Sequence, residues 1–151
     1  MEELILKEMK DHLINFVEKP HPAFANLPPC PFAKKARLQN KIKFIVFDFT
    51  NGLTEELNKL IQPDPNYDII WLINPNKAMP IEVLYKLIDD INALHPTLEA
   101  FGGHPKDPFE IAGVKTRQEP YPNLLFQSKE TLEKARWKLR HTKYYDNFNT
   151  P

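Results

Sequence analysis

The sequence predicts an α/β protein, a two-layer α+β sandwich in which about four strands form a mixed sheet and the helices lie mainly on one face. Three observations predict it. Apolar stripes at helical spacing alternate with short β-branched and aromatic runs, in the order α-β-α-β-α-β-β-α. Two β-α-β units within that order imply right-handed crossovers and pairing that is at least partly parallel. The 151 residues contain no internal repeat and no second domain, so the unit is a single domain over 1–151. A ferredoxin-like arrangement is the specific candidate.

The first helix is expected over 2–18, where Ile5, Met9, Leu13, Phe16 and Val17 form one stripe, and Pro20 and Pro22 stop it. Residues 19–39 read as a long loop that packs through Phe24, Leu27, Cys30 and Phe32. Ile42 to Phe49 is a strand rich in β-branched and aromatic residues. Thr54 caps a helix over about 55–62, with Leu57, Leu60 and Ile61 inward, ended by Pro63 and Pro65. Asp68 to Ile73 is the second strand. Pro80 opens a helix whose Ile81, Leu84, Ile88 and Ile91 give the cleanest helical period, and His95-Pro96 ends it. Leu98 to Phe101 is a third strand, residues 102–121 a second long loop, and Asn123 to Gln127 a fourth strand. Ser128 caps a last helix over 129–141, with Leu132, Ala135 and Leu139 on one face. Tyr144, Tyr145 and Phe148 are tail aromatics able to dock on the body.

Composition narrows the function. Lys+Arg and Asp+Glu are 20 each, so the chain lacks the basic excess of a general nucleic-acid binder. No apolar run reaches the roughly 18 residues of a membrane span. A single cysteine and a charged N-terminus without a secretory apolar stretch point to a reducing, cytoplasmic setting. Phosphate-binding glycine loops, Cys-x-x-Cys pairs, His-Glu-x-x-His and Gly-x-Ser-x-Gly are all missing. The 15 prolines cluster in stiff connections, chiefly around Cys30 and from His104 to Tyr121, and any chemistry is expected where those two loops meet.

Each candidate residue has a functional and a structural reading. Cys30, held in Pro-Pro-Cys-Pro-Phe, could ligate haem iron or act as a nucleophile; a buried thiol in the core is the plainer reading. His104 follows Gly102-Gly103 directly after a strand, a place for a metal ligand or a general base, or for a histidine that caps the loop. Asp107 and Glu110 could join it at a metal or orient it. Arg117 and Tyr121 could bind a carboxylate or a propionate, whereas an Arg117–Glu119 surface pair is the structural alternative. His95 reads as helix-end structure. Two basic clusters, Lys34 to Lys43 and Lys134 to Lys143, read mainly as solvated faces and helix-dipole partners.

The motif Leu27-Pro28-Pro29-Cys30-Pro31-Phe32-Ala33, followed by a basic stretch and a strand, resembles the opening of the YqcI/YcgG group. So does the arginine- and proline-bearing stretch that leads to Pro122-Asn123-Leu124-Leu125-Phe126-Gln127. A second, uncharacterised bacterial family is similar in its Cys-Pro-Phe-Ala, in a stretch like Phe101 to Pro105, and in Pro120-Tyr121-Pro122. Resemblance to the first group implies a haem-dependent N-oxygenase, an iron-containing monooxygenase acting with dioxygen on a small amino- or guanidine-type substrate. His104 would then be the axial ligand, with Cys30 as the alternative. Arg117 and Tyr121 would bind propionates or substrate, His104 and Tyr121 being the catalytic candidates. This chain is shorter than that group's pattern, and a homodimer would complete the haem pocket. Two other functions stand beside it: a non-catalytic binding module in which Cys30 is structural, and a haem-free iron site at His104 and Asp107.

Overall fold

The computed structural model describes residues 1–28, 30, 33–62 and 64–144. Pro29, Pro31 and Phe32 of the first loop, the helix-ending Pro63, and the tail residues Tyr145 and Phe148 lie outside the described residues.

Four strands, β1 (Ile42–Val46), β2 (Ile69–Ile73), β3 (Leu98–Gly103) and β4 (Asn123–Ser128), form one sheet in the order β1-β2-β4-β3. β1 and β2 run parallel, while β4 pairs antiparallel with both β2 and β3. The sheet is therefore mixed, as the two β-α-β units require. The connection from β1 to β2 passes through α3 (Glu55–Leu60) and that from β2 to β3 through α4 (Ile81–Leu94). Both steps move the same way across the sheet, so the right-handed rule places both helices on one face. Their side chains do share one core there: Leu57, Leu84, Ile88 and Ile91 pack with Ile70, Leu72, Leu124 and Phe126.

The ferredoxin-like expectation holds for one unit of the two. β4 lies between β2 and β3, a split β-α-β, but β1 and β2 are direct neighbours. Helices outside the crossovers cover the second face: α1 (Glu2–His12), its continuation as a π-helical turn over Leu13–Val17, and α2 (Ala33–Leu38) bury Ile5, Met9, Leu13, Val17 and Ala33 against Ile42, Ile69, Trp71 and Ile73. They are joined there by α5 (Lys129–Leu139), whose buried Leu132 lines the same cavity as Ile69 and Leu125. Every residue of β2 is buried because both faces are covered, which is why Ile69-Ile70-Trp71-Leu72-Ile73 is apolar without alternation.

Local signals placed most elements. Thr54 and Ser128 accept the backbone N–H bonds of Leu57 and Thr131, as capping residues should. His95 ends α4, and its ring meets the Asn58 side chain at 3.0 Å. Tyr144 stacks on Phe24, with ring centroids 5.4 Å apart. Two expectations needed correction. The 19–39 segment is not one loop: it contains a 3-10 turn at Pro22–Phe24 and α2, whose Ala33 and Ala36 are small enough to sit close to the sheet. β3 runs on through both glycines, because Gly102 and Gly103 pair with Leu124 and Asn123 of β4.

The Cys30 loop is tied down at both ends. The Cys30 N–H donates to the Val17 carbonyl at 3.2 Å, and Arg37 of α2 grips Glu18 through Nε and a terminal nitrogen at 2.6 and 2.8 Å. The Glu18 side chain is only 4% exposed, so Arg37→Ala would leave a buried carboxylate alone. The expected destabilisation is about 2–3 kcal/mol by urea denaturation. That is below the roughly 3–5 kcal/mol for a wholly buried pair, because the Arg37 end stays in contact with water.

Candidate functional site

The two proline-rich loops meet on the second face, over β2, β4 and β3. There a partly open cavity of about 260 Å³ is lined by Cys30 from one loop and by Arg117 and Glu119 from the other. Trp71, Phe101 and Leu125 of the sheet and Leu132 of α5 supply the apolar surface, and Gln127 adds an amide.

The second loop is folded from its first residue. His104 is 3% exposed; its Nδ1 accepts the Lys106 N–H at 3.0 Å, so its Nε2–H donates to the Met79 carbonyl at 2.7 Å. The same residue's backbone pairs with the returning strand of the loop, N–H to the Arg117 carbonyl at 2.9 Å and carbonyl to the Glu119 N–H at 3.4 Å. Asp107, wholly buried, accepts from the Phe109 N–H and from the Tyr85 hydroxyl. Burial, with that carboxylate beside it, pushes the Tyr85 phenol up to about 12. A tight turn at Ile111–Val114, with Ala112 at φ 50° and Gly113 at φ 82°, reverses the chain.

This scaffold lays Glu119 across the end of β3. An alanine-like Cβ on Gly103 would come within 2.8 Å of Glu119 Oε1, so only glycine leaves room for the carboxyl. Asn123, fully buried, donates from Nδ2 to Glu119 Oε2 and to the Tyr121 carbonyl, both at 3.0 Å, and its Oδ1 accepts the Trp71 Nε1–H at 2.7 Å. Trp71, Asn123 and Glu119 thus form one hydrogen-bonded chain ending in the cavity wall. The Glu119 residue keeps some exposed surface, but its carboxyl is packed among these groups. Burial pushes it up to about 8, against the smaller opposing effect of the Asn123 amide. At neutral pH the group holds a proton it can donate, or releases it when a cation arrives.

The sequence candidates divide. Cys30 and Arg117 come together in the cavity wall. Arg117 is exposed and lies over the Phe109 ring, 3.9 Å from its centroid, and it makes no ion pair with Glu119. His104 stays out of the wall and acts as the capping residue that orders the loop. Tyr121 is 6% exposed and faces α1, under Lys77 at 4.5 Å. Burial raises its phenol, the neighbouring Glu8 carboxylate adding to the effect. Among the described residues no three His, Cys, Asp or Glu side chains cluster as a metal site, and no helix is long and apolar enough to cross a membrane. In sequence, Glu119 reads as half of a surface pair with Arg117. The available signal was Gly102-Gly103, which announces that something approaches β3 closely.

Fold and site together define an α/β protein with a small, partly open cavity on one face of the sheet, bearing one buried acid beside an aromatic wall. No family model, curated protein or solved structure matches the chain.

Proposed function

We propose that the protein binds a small amino- or guanidine-type molecule in this cavity, with Glu119 as the recognition group. The observation that carries the reading is the Glu119 carboxyl, buried in the cavity wall with Asn123 as its amide donor. A guanidinium or ammonium group supplies the charge partner that burial denies the carboxylate, and a guanidinium can take both oxygens. Trp71 and Phe101 offer faces that attract a cation. Arg117 suits a carboxylate at the far end of an amino-acid-like ligand. The volume, just under the roughly 300–1,000 Å³ of drug-sized clefts, favours a small molecule.

The test is a calorimetric titration with methylguanidine and agmatine in buffers of different ionisation enthalpy. Saturable binding is expected, with nearly one proton released per ligand at pH 6–7. Affinity should rise about tenfold per pH unit up to pH 8, and Glu119→Gln should bind at least about tenfold more weakly. Absence of saturable binding, or equal affinity in the variant, would sink this reading.

For the reaction, the resemblance supports haem-dependent N-oxygenation of such a substrate, and the single cysteine supports a reducing, cytoplasmic setting. Cys30 is the ligand candidate that reaches the cavity, and a thiolate is a known haem ligand. His104 would have to give up a backbone hydrogen bond, and both Asp107 oxygens already have partners, which weakens the haem-free iron reading. A porphyrin does not fit the cavity of one chain, so this reading requires a homodimer that enlarges it. Expression with iron and a haem precursor, followed by an absorbance spectrum, separates the two. A Soret band supports the oxygenase; no band and no haem uptake on titration leaves a binding module.

A further inference from the structure

An open groove on the second face lies between α2 and α5 and has a volume of about 590 Å³. Its floor is apolar, with Ile69, Leu132 and Leu139 all under 9% exposed. Its rim carries Lys35 from α2 and Lys134 and Lys138 from α5, against one lining carboxylate, Asp68. The fold thus brings the two basic clusters of the sequence to one concave place.

A helix dipole accounts for a lysine near the end of α2 or of α5 taken singly. It does not account for their convergence on one apolar floor. Lys35 and Lys138 make no ion pair among the described residues. Lys134 has only its exposed i,i+4 partner Glu130 at 3.2 Å, a contact worth under about 1 kcal/mol and readily exchanged. Even with Glu130, the partner of Lys134, counted beside Asp68, the three ammonium groups leave the rim positive, which favours an anionic group, and lysine binds phosphate as a point charge. The floor favours a hydrocarbon or aromatic body on the same molecule.

We propose that this groove binds a small phosphorylated molecule, its phosphate among Lys35, Lys134 and Lys138 and its apolar body on Ile69, Leu132 and Leu139. The site is separate from the Glu119 carboxyl, although Ile69, Gln127 and Leu132 line both spaces, and it does not rest on the reading of that cavity.

The experiment is an NMR or calorimetric titration at fixed ionic strength with hexyl phosphate, inorganic phosphate and hexanoate. Hexyl phosphate should bind saturably and at least about tenfold more tightly than either of the others. Lys35→Glu with Lys138→Glu should weaken it at least about tenfold, and Glu119→Gln should leave it unchanged. Ala135→Phe, which fills the groove without altering charge, should also weaken it and covers the case in which the double variant fails to fold. Equal affinity for inorganic and hexyl phosphate would mean generic attraction to lysine and would overturn the proposal. So would affinity that survives the lysine or Ala135 substitutions, or no binding at all.

Discussion

Glu119→Gln is expected to stabilise the protein at pH 8 by on the order of 3 kcal/mol and to leave its stability at pH 4.5 nearly unchanged. The sign follows from proton counting. The carboxyl titrates near its ordinary value in the unfolded chain but at about 8 when folded. Between those values the native state holds the extra proton, so stability falls as pH rises from about 5 to 8. Below that window both states are protonated and the group adds no penalty. Above it both are ionised, and the buried charge weighs fully against folding. Glutamine keeps an oxygen to accept the Asn123 amide and carries no charge at any pH. Urea denaturation at pH 4.5, 6.5 and 8 reads the effect directly. Parallel stability profiles for the two proteins would show that the carboxyl is not held in a charge-excluding place.

The second large effect separates two adjacent glycines. Gly102→Ala should destabilise the protein by about 3 kcal/mol, at the upper end of overpacking. Its new Cβ would sit 2.6 Å from Ile88 Cδ1 and 2.8 Å from the backbone oxygen of Asn123. Ile88 belongs to the packed core and the carbonyl to a paired strand, so neither can move cheaply. Gly103→Ala meets side-chain ends instead: Glu119 Oε1 at 2.8 Å and Asn123 Nδ2 at 3.0 Å. These can give way, so the expected loss is about 1 kcal/mol. Displacing Glu119 into water should also abolish the high-pH stability loss and weaken guanidine binding. Thermal or chemical denaturation of both variants, with one ligand titration of Gly103→Ala, tests the contrast. Equal destabilisation by the two alanines would contradict it.

These glycines also mark how far the sequence could be read. Gly102-Gly103 after an apolar run looks like the exit from a strand, where glycines let the backbone turn sharply or approach a ligand closely. In the structure both residues remain inside β3, and side chains approach it: Ile88 from one face and Glu119 from the other. His104 shows the same limit. Its position after the strand is legible in sequence, but its role depends on where the Met79 carbonyl and the Lys106 N–H fall, and no local pattern states that. Arg117 and Glu119, two apart on an extended segment, read naturally as a surface pair. The backbone bonds to His104 instead leave Arg117 at the mouth of the cavity and Glu119 in its wall.

By itself the sequence determined the class of fold, the succession of the strands and of the helices other than α2, the capping by Thr54 and Ser128, and the place of the long connection after β3. Those features depend on periodicity, proline and capping, which act over a few residues. Only the tertiary structure decided that β4 enters between β2 and β3, and with it that Trp71, Gly103, Glu119 and Asn123 become neighbours. The physical reason is that a buried acid has no signature of its own. Its character is conferred by the groups that exclude water from it, and here these come from three strands brought together only by sheet pairing.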